Sequence, residues 1–152
     1  MANAVARKID ATAAFTITLA SLAAAAARQS TLLTNSNNRP GALVFVSLMS
    51  NGSAPTANKV YEVYLIRGDG TTRDDNAGSS DAAITIENAA LLGTIVVTAS
   101  TNKAFYGVFD TGVLGPLGSE WGIAIKNATD QALNATGGNH RAAYEYYYDE
   151  IQ

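Results

Sequence analysis

Turn-forming clusters recur along this chain at intervals too short for packed helices and well matched to strands. NSNNRPG, SNGSAPTAN, RGDGTTRDDNAGSS, TASTNK, DTGVLGPLGS and NATGGNH are rich in Gly, Asn, Asp, Ser and Pro. Such residues supply positive φ and short side-chain-to-backbone hydrogen bonds, so each cluster reverses the chain. Between them lie apolar, β-branched segments read as strands near 15–19, 42–49, 60–67, 83–87, 93–98, 105–110, 121–127 and 141–148. About eight short strands with regular punctuation predict an all-β fold, a single antiparallel β-sandwich or barrel.

Composition agrees. The chain has 152 residues and 47% apolar side chains, of which 28 are Ala against 34 Leu, Ile, Val and Phe together. With 15% charged residues it resembles neither a charged helical bundle nor a disordered tail. Its length sets one domain with a real core. The expected division is an extended arm over 1–12, small, polar and basic, followed by a sandwich over 13–152. The alanine run near 21–29 has high helix propensity and predicts one short helix, with an alanine-rich strand as the rival.

Arg7, Lys8 and Ala23–Ala27 prompt a signal-peptide reading, but Asp10, Thr12, Thr16 and Thr18 interrupt the apolar segment it needs. No apolar run reaches the length of a membrane span, so no membrane partner is expected.

Chemistry is restricted early. The chain has no Cys and one His. Disulfides, thiolate catalysis and zinc sites of Cys or multi-His type are thereby excluded within one chain. His140, alone after a Gly-Gly-Asn turn, reads as structural rather than as a base. Arg67-Gly68-Asp69 spells a known adhesion tripeptide, but Asp-Gly after a strand is first a turn signal. Asp69, Asp74, Asp75, Asn76 and Asp81 crowd one loop without the spacing of a calcium-binding EF-hand, which reads as a solvated acidic loop. Ser100 and Lys103 match S-x-x-K by letter but sit in a polar turn, where that nucleophile is not presented. Asn51, Asn127 and Asn134 begin glycosylation sequons that arise readily in an Asn- and Thr-rich chain. No enzyme activity, cofactor or metal is expected.

Charge is unevenly placed. Residues 1–58 hold four basic side chains (Arg7, Lys8, Arg28 and Arg39) against Asp10, a net +3; residues 59–152 hold six basic and twelve acidic, a net −6. A basic leading segment on an acidic body suits docking onto an acidic protein surface, and the four cations are the candidate docking residues. Nucleic acid is disfavoured by a pI near 5.0 and the lack of a basic stripe interleaved with aromatics. Trp121, Ile123 and Ile125 alternate with smaller or polar residues and are expected to face inward. Tyr144, Tyr146 and Tyr148 share one face of the last strand, either as core packing or as a subunit interface.

The whole pattern resembles a group of small virion proteins of tailed bacteriophages. The likeness runs from an early strand, SLAAAAARQST and ALVFVSL through VYEVYLIRGDGTTRDDNAGSSDAAITIENAALLGTI to FYGVFDTGVLGPLGSEWGIAIKNATDQALNATGGNHRAAYEYYY, nearly the whole chain. It is most specific in RGDGTTR, LGPLGSEWGIAI and LNATGGNH. The resemblance implies a jelly-roll-like sandwich and a head decoration, or cement, protein on the capsid surface. It also implies the major capsid protein as partner, assembly as a homotrimer and no catalytic residues. Its rivals are a tail or fibre component and a carbohydrate-binding module using Trp121 and the tyrosines of 144–148.

Overall fold

The fold was obtained as a computed structural model that describes residues 4–151. Among the described residues there are eleven strands: β1 (Val5–Ile9), β2 (Ala13–Ala14), β3 (Ala27–Gln29), β4 (Leu33–Thr34), β5 (Gly41–Met49), β6 (Val60–Gly68), β7 (Ala82–Ala83), β8 (Ala90–Val96), β9 (Ala104–Asp110), β10 (Glu120–Ala128) and β11 (Arg141–Ile151). Loops and three short 3-10 turns separate them, and among the described residues no helix is long and apolar enough to cross a membrane.

The first half of the chain folds back on the second. β1 and β2 pair with β11, β3 and β4 with β10, β5 with β9, and β6 with β8, all antiparallel. This folded ribbon winds up through two further pairings, β11 with β5 and β10 with β6. One sheet has the order β1-β11-β5-β9, with β2 also beside β11; the other has the order β7-β3-β10-β6-β8, with β4 beside β10. That is the strand order of a two-sheet jelly roll. The expected all-β sandwich is what forms.

Alternation sets the core. Ala42, Val44, Val46 and Leu48 of β5 face Tyr61, Val63 and Leu65 of β6 and Trp121, Ile123 and Ile125 of β10 across the sandwich. Burying each larger side chain contributes roughly 1.5–3 kcal/mol. Trp121, fully buried, meets Phe15, Tyr144 and Tyr146 edge-on, and its indole N–H donates to the Tyr146 hydroxyl at 2.8 Å.

Three expectations are corrected. No helix forms over 21–29: Ser21 and Ala25 adopt positive φ (55° and 63°), and Ala27–Gln29 is a strand. Helix propensity is overridden because the segment's backbone finds tertiary partners. The Ser21 and Ala25 amides donate to the Asn134 and Asn127 carbonyls, and the Leu22 carbonyl accepts from the Leu133 amide and the Asn127 side chain. Residues 15–19 keep alternating burial, with Phe15 and Leu19 inside, but form no ladder. Here the chain crosses between sheets: the Phe15 amide bonds Ala142 of one, and the Thr16 carbonyl accepts from Thr31 beside the other. The strand expected at 83–87 shrinks to Ala82–Ala83, after which Ile84 and Ile86 pack over β6 and β10.

Candidate docking surface

The arm is part of the first sheet. Residues 1–3 lie outside the described residues; Val5–Ile9 is β1, laid along the outer edge of β11 from Val5 opposite Ile151 to Ile9 opposite Tyr147. Its burial alternates between exposed and half-buried, as an edge strand requires.

The four candidate docking cations do not form one patch, and each has an acid of the same chain. Arg7 pairs with Asp149 at 3.0 Å and Lys8 with Glu150 at 3.5 Å, both on the β1 edge and well exposed, the Arg7 and Asp149 side chains at 61% and 51%. The Asp149 hydrogen bond and charge raise the Arg7 pKa further. Arg39 pairs with Asp10 at 2.9 Å and lies over the Tyr148 ring at 3.6 Å. Arg28 belongs to the other sheet and pairs with Asp81, which also accepts from the Thr18 hydroxyl. The Arg28 and Arg39 pairs are half-buried and fasten the fold; the exposed Arg7 and Lys8 pairs contribute little and exchange readily.

The tyrosines divide. Tyr144 and Tyr146 pack within the chain's own core against Trp121, and Tyr148 carries Arg39. Tyr147, on the opposite side of β11, is the buried one: its hydroxyl donates to Asp110 at 2.6 Å between Gly41 and Gly112, where any added Cβ would overlap it. Fully buried, Trp121 has no ring face to offer a sugar.

Most of the loop and turn residues serve the backbone. Asp69 accepts from the Thr71 and Thr72 amides, bonds that lower its pKa, and Gly70 takes φ +93°. Asp74 accepts from the Arg67 amide, and one Asp75 oxygen collects the amides of Glu87, Asn88 and Ala89. The acids are thereby spread over separate tasks, and no group of three or more metal-ligating side chains occurs among the described residues. His140 is held at both ring nitrogens: Nδ1 accepts from the Met49 amide, and Nε2 is 2.9 Å from the Asn134 carbonyl. Those partners assign the Nε2-protonated tautomer. The Ser100 hydroxyl faces Thr98, while the Lys103 ammonium lies over the Phe105 ring.

The feature that the residue-by-residue reading missed is the outer surface of the first sheet. The two sheets treat their outer faces differently. On the second, Ile66 and Ala124 are covered by the chain's own 69–89 excursion through Ala77, Ile84, Ile86 and Ala89. On the first, the cross-strand rows are Val108–Phe45–Ala143 and Asp110–Leu43–Glu145 beside Tyr106–Ser47–Arg141, with the β9 members and Arg141 exposed, Phe45, Leu43, Ser47 and Glu145 half-buried and Ala143 buried. Val5, Ile9, Tyr106, Val108 and Ile151 are exposed there, Tyr106 at 74% and Val108 at 60%. The other exposed large apolar side chains among the described residues, Leu91, Val96 and Val113, lie on β8 and a 3-10 turn. The signal for this face is in β5, GALVFVSLM, whose outward positions Leu43 and Phe45 are apolar as well. No protein-family model matches this chain, and no curated protein matches it in sequence.

Proposed function

We propose that this chain is a structural protein of a bacteriophage particle, binding the outer capsid surface as a decoration or cement protein that stabilises the head. One observation carries the reading: among the described residues the basic arm is an edge strand with one edge unpaired, its cations in exposed ion pairs and Arg7 also over the Tyr147 ring. An open strand edge offers backbone donors and acceptors for strand addition, and Arg7 and Lys8 can re-pair with acids of the major capsid protein. Behind the edge stands a rigid sandwich whose loops are tied by side-chain-to-backbone hydrogen bonds, which suits a clamp between other subunits. The likeness to small virion proteins supports the same assignment.

The test is co-sedimentation with purified particles that lack the protein. Deleting residues 1–9, or reversing charge with Arg7→Glu and Lys8→Glu, is expected to abolish capsid occupancy while thermal unfolding stays cooperative. Unchanged occupancy with both variants would overturn the reading. Recovery with isolated tails rather than heads would transfer the protein to the tail or fibre alternative.

A further inference from the structure

The outer face of the first sheet leaves Tyr106 and Val108 exposed and carries a distinct charge pattern. Three rows cross β9, β5 and β11: Tyr106–Ser47–Arg141, then Val108–Phe45–Ala143, then Asp110–Leu43–Glu145. The central row is apolar, and its available surface is Val108, exposed, and Phe45, half-buried, since Ala143 is already buried. One flanking row ends in a cation on β11, and the other ends in acids on β9 and β11. Among the described residues Arg141 makes no ion pair or side-chain hydrogen bond, and Glu145 accepts only from the Thr12 hydroxyl.

Rotating the sheet by a two-fold axis that lies in the interface, perpendicular to the strands, through the central row, sets each strand against its own copy in reverse direction. Arg141 then opposes Glu145 of the second copy and Glu145 opposes its Arg141. Tyr106 opposes Asp110 of the second copy, so its hydroxyl has a carboxylate to donate to, and the apolar rows stack on each other. An isologous interface requires this self-complementarity: residue i meets j, and j meets i. A two-fold along the strands would instead set Arg141 against Tyr106 and leave the acids facing each other.

The size sets the strength. Three strands about 4.8 Å apart, seven to nine residues long in β9 and β5 and rising about 3.3 Å per residue, give a face on the order of 400 Å². A standard interface takes about 800 Å² from each partner, so this contact belongs to the weak, reversible class. We infer that the outer face of β5, β9 and β11 is a homodimer interface, its occupant a second copy of this chain related by that two-fold axis. This contact uses the face of the sheet and leaves the β1 edge open.

Sedimentation equilibrium of the full chain, over micromolar to near-millimolar concentrations, tests it. The expected result is a reversible monomer–dimer equilibrium. Arg141→Glu and Glu145→Arg should each weaken it by about tenfold or more, since each sets like charges opposite one another twice. The Arg141→Glu/Glu145→Arg double variant should restore it, because the pattern is then inverted but still self-complementary. Val108→Glu should give monomer with a cooperative melt; should it fail to fold, the exposed charge variants carry the test. A monomer at all concentrations, a threefold mass, or a double variant as weak as the singles would overturn the inference. So would Val108→Glu abolishing capsid occupancy without changing mass, which would give the face to the capsid. Loss of occupancy on deleting residues 1–9 reads the β1 edge alone, so the two proposals fail separately.

Discussion

Asp81 accepts from the Arg28 guanidinium and the Thr18 hydroxyl, and so joins β3, the crossing segment after β2 and the residue before β7. Burial alone would raise its pKa, but these hydrogen bonds and the Arg28 charge outweigh it and hold the carboxyl below its usual value. A carboxylate whose pKa is depressed by folding stabilises the fold above its unfolded value, and that contribution is lost as pH falls through the folded value. Asp81→Asn is therefore expected to cost about 1–3 kcal/mol at neutral pH, the range for a hydrogen-bonded charge. Urea unfolding of variant and wild type should differ most near neutrality; the difference should start to shrink near about pH 4, where the unfolded carboxyl protonates, and be lost only below the depressed folded value. A difference that persists unchanged into acid would sink this account of Asp81. The same residue marks what a one-dimensional reading can hold. The cations were legible as cations, but their acids lie 29 residues away for Arg39 and 142 for Arg7, so only the fold reveals that each is paired.

Strands β5, β6, β10 and β11 were legible because a period of two is local and each lies between strong turn signals. The corner segments were not, because where the chain changes sheet depends on which distant carbonyl is in reach. Residues 15–19 and 21–29 keep the burial or the propensity of an element while their amides bond outside it. The open face of the first sheet was hidden for a related reason: apolar residues on both sides of a strand do not say which side the chain itself will cover. Edge-strand glycines carry information of this kind too. Phe109 of β9 lies over Gly93 of β8 and its near neighbour Gly107, where the two sheets meet at their edges. A Cβ at Gly107 would sit 2.6 Å from the Phe109 ring and 2.8 Å from Ile95. Gly107→Ala should therefore cost about 1–3 kcal/mol through overpacking. Gly138→Ala, with open space around it, should change the melting temperature little. Equal melting temperatures for the two variants would mean that the Phe109 edge is loose rather than locked.

At the scale of the molecule, three phenols report on three different layers. Tyr61 lies between the sheets, Tyr64 lies under the 69–89 excursion on one outer face, and Tyr147 lies against Asp110 on the other. Burial pushes each up to about 12, with the Glu62 carboxylate adding to the effect at Tyr64 and Asp110 at Tyr147. Unfolded, a tyrosine titrates near 10. A group whose pKa is raised by folding gives its full stabilisation below the unfolded value and loses it as pH rises through the folded one. The window of loss is therefore pH 10 to 12, and for Tyr61 two pKa units correspond to roughly 2–3 kcal/mol. Denaturant unfolding should show stability falling steeply across that window. Phenolate absorbance should lag behind that of the exposed tyrosines until the sandwich opens. Tyr147→Phe removes one proton from the linkage, so it should lower stability at neutral pH yet flatten the alkaline slope. A slope unchanged by Tyr147→Phe would mean that the outer face of the first sheet opens before the core does, and that the Tyr147–Asp110 bond takes no part in tying β11 to β9 across β5.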